Sequence, residues 1–206
     1  MIHRFMRFIF LIVVVGFSSK PSLTQERYAK MTYTVFHVGD LIQHEFYSSA
    51  WRFQCSLEPI LQGEHEPDWQ YIDRLNFIKI VKFIQAHPNL IFEIASHTDW
   101  RGSAASNLDL SKRRAQALVD CMIRAHNIDS SRVKAFGYGR SHPRTIYTCN
   151  GHYWAFHDDS LSQLCEGIPI VLTNEYIQQF KEDKVMFEHL HRFNRRIDVR
   201  IIGIKE

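Results

Sequence analysis

Two kinds of apolar repeat alternate along this chain. Phe77, Ile80, Val81 and Ile84 recur at i, i+3, i+4 and i+7, the spacing of one buried helical face. Pro67 or Asp68 can open that helix. His87-Pro88-Asn89 ends it, because the residue before a proline is pushed out of helical backbone. Leu90 to Ala95 then reads as a strand, with Leu90, Phe92 and Ile94 on one side. A second helical repeat follows in Ala115, Leu118, Val119 and Met122. Ser111 is the expected N-cap of this helix, with Arg114 on its first turn, and Asn127-Ile128-Asp129 closes it. Val133 to Phe136 is a short strand, and Gly137-Tyr138-Gly139 turns the chain. Thr173 is placed as the N-cap of a third helix, in which Tyr176, Phe180, Phe187 and Leu190 keep near-helical spacing. The last strand, 196–202, alternates Ile197, Val199 and Ile201 with Arg196, Asp198 and Arg200, as a half-buried strand does.

Strands that alternate with helices imply an α/β fold, a sheet with helices packed on one face. The domain is expected to span 45–206, with its first strand placed loosely at 46–54, where Phe46, Tyr47, Trp51 and Phe53 lie. Residues 20–44 read as a lead-in. Residues 140–171 form a long polar insertion carrying Cys149, Trp154 and Cys165, and loops of that length are usually functional or separately braced.

Composition narrows the function classes. Of 206 residues, 45% are apolar and 23% charged, enough for a real core. Residues 1–19 hold Arg4 and Arg7, no acid, and the apolar run Phe8 to Phe17. That run is about half of the roughly 20 residues a bilayer span needs, so it reads as a secretory signal or a short anchor. The net charge of +3 falls to about +1 without this segment, which is no signature of nucleic-acid binding. An exported chain can form disulfides. Cys149 and Cys165, close in sequence, are the favoured pair, and Cys121 is read as a buried free thiol of the second helix. Four cysteines allow three full pairings, and the sequence does not choose among them. Cys149-x-x-His152, His157 and Cys165 have zinc-ligand types, but the spacing is irregular and a disulfide is preferred, so no metal site is expected.

The chemistry concentrates between Leu90 and Arg114. A strand runs into the polar loop Thr98-Asp99-Trp100-Arg101-Gly102, and a helix follows. Asp99 offers a carboxylate and Arg114 a planar guanidinium able to grip a carboxylate with two parallel bonds. Together they suit a ligand carrying an ammonium and a carboxylate on one carbon. Gly102 lets the loop turn, Asn107 is expected to hold it in shape, and Leu110 to pack. His97 and Asp99 could form an acid–base pair, but no nucleophile or oxyanion site accompanies them, so catalysis is not expected.

These residues also form an ordered series: Thr98-Asp99 with Gly102, Asn107 with Leu110-Ser111 and Arg114-Ala115, Gly137-Tyr138-Gly139 with Pro143, and Arg195-Arg196. In that order and spacing, over about half of the chain, they resemble the OmpA-like peptidoglycan-binding domain. The late insertion and the Asn194-Arg195-Arg196 run are similar to OmpA-like proteins of the Bacteroidetes type. The resemblance implies that Asp99 and Arg114 bind diaminopimelate in the wall's peptide stem, without cofactor, metal or covalent step. Thr98, Gly102, Asn107 and Leu110 become supporting site candidates, with Arg196 preferred over Arg195. Ser106 stands where the family usually has an aromatic residue, and Trp100 could supply that wall instead. The resemblance further implies a two-layer α/β sandwich of βαβαβ type, with helices on one face of a mixed sheet, in a periplasmic, outer-membrane-associated protein that tethers an envelope protein or complex to peptidoglycan. An alternative class is a protein–protein module that uses 140–171 to hold other envelope proteins, its wall site having decayed.

Overall fold

The computed structural model describes residues 28–29, 35–42, 68–149, 152–154 and 167–205. The expected leader at 1–19 and first strand at 46–54 lie outside them. Helix α1 (Asp68–Ala86) starts at one of the two expected residues and ends before Pro88. Its end is fastened by Arg132, whose buried guanidinium donates to the carbonyls of Ile84 (2.7 Å), His87 (2.6 Å) and Leu90 (3.1 Å). A cation on the last carbonyls of a helix satisfies groups that have no partner within it.

The main sheet has five strands. They are β1 (Tyr28–Ala29), β2 (Leu41–Ile42), β3 (Leu90–His97), β4 (Val133–Gly139) and β8 (Ile197–Ile204), ordered β1-β2-β8-β3-β4. Strand β3 is central, parallel to β4 and antiparallel to β8. Strand β2, from the segment read as a lead-in, pairs antiparallel with β8. Its Leu41 and Ile42 are buried, and Ile42 joins the main core. Residues 28–29 and 41–42 of the lead-in therefore belong to the sheet.

The alternation of β3 and β8 sorts their side chains. Phe92, Ile94, Ile197, Val199 and Ile201 enter a core with Phe77, Ile80, Val81 and Ile84 of α1 and with Leu118, Val119 and Met122 of the next helix, α2 (Ala104–His126). The opposite side carries Glu93, His97, Asp198 and Arg200. The expected layering of helices on one face of a mixed sheet is what the structure shows.

Four local expectations change. Helix α2 begins two turns before Ser111: Ser103 is its N-cap, accepting the N–H of Ser106 at 3.0 Å. Ser111 is instead buried inside the helix, where its hydroxyl donates to the Leu108 carbonyl and accepts the N–H of Gly139. Gly137-Tyr138-Gly139 continues β4 rather than turning. A Cβ on Gly137 would sit 2.2 Å from the backbone nitrogen of Lys112, so glycine is what lets α2 cross the strand there. Cys121 is disulfide-bonded, not a free thiol. The pairing of Cys149 with Cys165 lies outside the described residues.

The described residues of the insertion form strands rather than a polar loop. Strands β5 (Thr145–Cys149), β6 (His152–Trp154) and β7 (Ile168–Val171) form a second, antiparallel sheet in the order β6-β5-β7. Thr173 caps α3 (Asn174–Gln178) as expected, accepting the N–H of Tyr176. The single helix expected there is broken at 179–183, and Asp183 caps a new one, α4 (Lys184–Asn194). Ile146, Leu172, Ile177, Leu190 and Phe193 make a second apolar cluster between these elements. Buried Asn194 ties both ends of the segment to the base of β8, accepting from the N–H of Arg144 (2.8 Å) and donating to the Leu172 carbonyl (2.9 Å).

Candidate functional site

Strand β3 ends at His97, and the next residues reach the edge shared by both layers. Thr98 donates its N–H to the Gly139 carbonyl at 2.9 Å, which fixes the exit from the strand. Asn107, buried on the first turn of α2, donates its amide to the carbonyls of Asp99 (3.2 Å) and Arg101 (2.8 Å). It holds the loop's backbone through these two carbonyls. Gly102 adopts φ 83°, a left-handed conformation that explains a glycine here. Its carbonyl and that of Trp100 accept from the Arg140 guanidinium. Trp100 reaches into the second layer, donating its indole N–H to the Leu172 carbonyl at 2.8 Å and packing on the second apolar cluster.

Asp99 is the centre of the charge. It is 6% exposed. Its Oδ2 accepts from Arg101 Nε (3.0 Å) and Nη2 (2.5 Å) and from Arg195 Nη1 (2.7 Å); its Oδ1 accepts the Arg101 N–H (3.0 Å). Burial alone would push this carboxyl up. The donors from Arg101 and Arg195 outweigh it and hold the group below the usual carboxylate range. Both arginines turn their other nitrogens to Glu188 of α4, Arg101 Nη1 at 3.0 Å and Arg195 Nη2 at 2.6 Å. Two acids and two bases thus close a ring: Asp99, Arg101, Glu188, Arg195.

Arg114 stands beside this ring on the third turn of α2, since the helix starts at Ala104. It is half-buried, and its Nε has no hydrogen-bond partner. Burial and the neighbouring charge of Arg195 lower its affinity for its proton, while Asp99 raises it. Asn107, Ser111 and Arg114 follow one another at i, i+4 and i+7, so one helix face serves loop, strand and charge.

Of the sequence candidates, Thr98, Asp99, Gly102, Asn107 and Arg114 come together here, and Leu110 is half-buried on α2. Arg196 does not join them. It is buried on the side of the sheet away from α1 and α2, where its Nε donates to Asp198 (2.9 Å) and its Nη atoms reach the His142 carbonyl. Arg195 takes the place beside Asp99, because adjacent residues entering a strand face opposite ways. Sequence reasoning also missed Arg101 and Glu188. Arg101 lies two residues from Asp99, within reach of a loop carboxylate. Glu188 and Arg195 are seven residues apart, two turns along one helical face. The link between Glu188 and Arg101, distant in sequence, had no local signal. Among the described residues, no cluster of three or more His, Cys, Asp or Glu could hold a metal ion.

Residues 68–152 match the model of the OmpA family, the family that the motifs resemble. The chain is 36% identical over 64 residues to outer membrane porin F of Pseudomonas aeruginosa, covering 31% of this chain and 18% of that protein. It is 30% identical over 76 residues to the peptidoglycan-associated lipoprotein of Legionella pneumophila, covering 37% of this chain and 40% of that protein. The chain therefore spans less than half the length of these curated relatives. A crystal structure of the peptidoglycan-associated lipoprotein from Burkholderia pseudomallei aligns with 63% of this chain and 75% of its own, at 16% identity and a TM-score of 0.35.

Proposed function

We propose that this chain binds peptidoglycan non-covalently, through the diaminopimelate of its peptide stem, and so holds an envelope protein or complex against the cell wall. The observation that carries this reading is one juxtaposition within the OmpA-like stretch. Buried Asp99 lies close enough to half-buried Arg114 for their charges to interact, and the Arg114 Nε is unpaired. A zwitterionic carbon needs an acceptor for its ammonium and a fork for its carboxylate. Asp99 Oδ1 accepts one N–H, so it keeps capacity for an ammonium proton; an ionised carboxylate offers about four lone-pair sites. Arg114 supplies the fork. Thr98, Gly102 and Asn107 set the loop, and Arg195 replaces Arg196 as the supporting cation. The names of two relatives, an outer membrane porin and a peptidoglycan-associated lipoprotein, support a place in the envelope on the periplasmic side.

No chemical step is needed for this role, and no cofactor. Each contact is modest. A repeating polymer offers many copies of the ligand, so modest contacts suffice when several molecules bind together. In the same reading, a Cys149–Cys165 disulfide would brace the insertion in an oxidising compartment.

The test is co-sedimentation of the purified protein with diaminopimelate-type peptidoglycan, beside Asp99→Ala and Arg114→Ala. The parent protein should pellet, and both variants, shown folded by circular dichroism, should stay in solution. A parent protein that stays in solution, or folded variants that pellet as well as it does, would overturn the assignment.

A further inference from the structure

The four-membered ring contains two residues that the proposed ligand site does not use, Arg101 and Glu188. Glu188 lies on α4, beyond the matched 68–152 stretch, and is delivered to the site by the insertion's own layer. Its side chain is 53% exposed, against 8% for Asp99. Its two oxygens each take one guanidinium, Oε1 from Arg195 and Oε2 from Arg101. That is the arrangement an incoming carboxylate would make. We infer that Glu188 is a resident competitor for the ligand's carboxylate: it occupies the outward donors of Arg101 and Arg195 and leaves Arg114 to take the ligand.

Charge and geometry support this. Asp99, Arg101, Arg195 and Glu188 sum to zero, and Arg114 adds a positive charge beside the ring. With Glu188 in place, a second ligand carboxylate finds Arg101 and Arg195 already paired. With its charge removed, both guanidiniums turn unpaired N–H groups to solvent beside Arg114, and a carboxylate-rich ligand gains partners. Glu188 thereby sets both the affinity of the site and how many carboxylates it accepts. Its solvent exposure makes it displaceable, because exposed ion pairs are individually weak. Asp99 cannot play this part, being buried and held by both arginines.

This inference rests on the peptidoglycan reading, and the experiment separates the two. The parent protein, Glu188→Gln and Arg114→Ala are each titrated with diaminopimelate-type peptidoglycan in the co-sedimentation assay, with free diaminopimelic acid as competitor. Glutamine keeps the shape of Glu188 and removes its charge. Glu188→Gln should bind about threefold more tightly than the parent, the weight of an exposed ion pair, and should lose binding more steeply with added salt. If the parent binds and Glu188→Gln binds equally or less well, the competitor role is overturned and the peptidoglycan reading stands. If neither pellets, both are overturned. A folded Glu188→Gln that is less stable yet binds as the parent does would show a purely structural ion pair, and would also overturn the inference.

Discussion

His97 makes the protein's stability depend on pH in a way that can be worked out. It lies on the side of β3 away from the helices and is 4% exposed. Its Nε2 is 3.1 Å from Asp198 Oδ2, its ring stacks on Tyr138 at 5.4 Å, and His142 meets it edge-on at 6.3 Å. Glu93 approaches through Tyr138, whose hydroxyl lies 3.3 Å from its carboxylate. Burial pulls the imidazole down and Arg196 adds to that. Asp198 opposes both but does not prevail, and the group ends at about 4 against an ordinary 6.5. The unfolded chain therefore binds a proton near pH 6.5 that the folded chain refuses until about 4. Between those values the unfolded state holds more protons, so stability falls as pH falls. It is fully present above the unfolded value and stops falling below the folded one. At about 1.36 kcal/mol per pH unit, this interval is worth about 3 kcal/mol. The assay is urea denaturation of the parent and His97→Gln at pH about 7, about 5.5 and about 4, with stabilities from linear extrapolation. Glutamine does not titrate, so its stability should fall by about 3 kcal/mol less than the parent's across the range. Glu93, His126 and His191 remain in both proteins, and their contributions cancel in the difference. Parallel pH profiles would refute the reasoning and show His97 solvated in the native state.

Two further outcomes test the packing that presents the site. Gly137→Ala should destabilise the fold by about 3 kcal/mol or more by urea denaturation, because the added carbon meets the α2 backbone rather than a movable side chain; a loss under about 1 kcal/mol would mean the helix shifts freely. Arg132→Met should cost about 3 kcal/mol by the same measurement, since three carbonyls at the joint of α1 and β3 lose a charged donor; hydrogen exchange should rise first in the last turn of α1, and uniform protection there would count against the joint.

The elements that sequence periodicity placed well are those whose cues are local. Phe77, Ile80, Val81 and Ile84 mark the buried face of α1, and the alternation of Ile197, Val199 and Ile201 marks β8, because each repeat reports a neighbour on one side of one element. That Asp99, Gly102, Asn107 and Arg114 lie near one another was legible for a similar reason: strand, loop and helix run consecutively, so their spacing fixes a local geometry. The cap at Ser111 misled because a serine beside an apolar repeat looks the same whether it starts a helix or locks a strand to it. Only Gly139, arriving from another strand, tells the two apart.

Tertiary structure decided the rest. Leu41 and Ile42 are ordinary apolar residues until β8 lies beside them. The order of Arg195 and Arg196 depends on which way the chain enters β8, and the closed ring at Asp99 depends on α4 bringing Glu188 against a loop far away in sequence. The chain's local chemistry determined that an acid and a base would stand at the tip of β3. Which other charges surround them was set by long-range packing, because apolar and hydrogen-bonding contacts position whole elements, and ion pairs then form among whatever side chains those elements bring within reach.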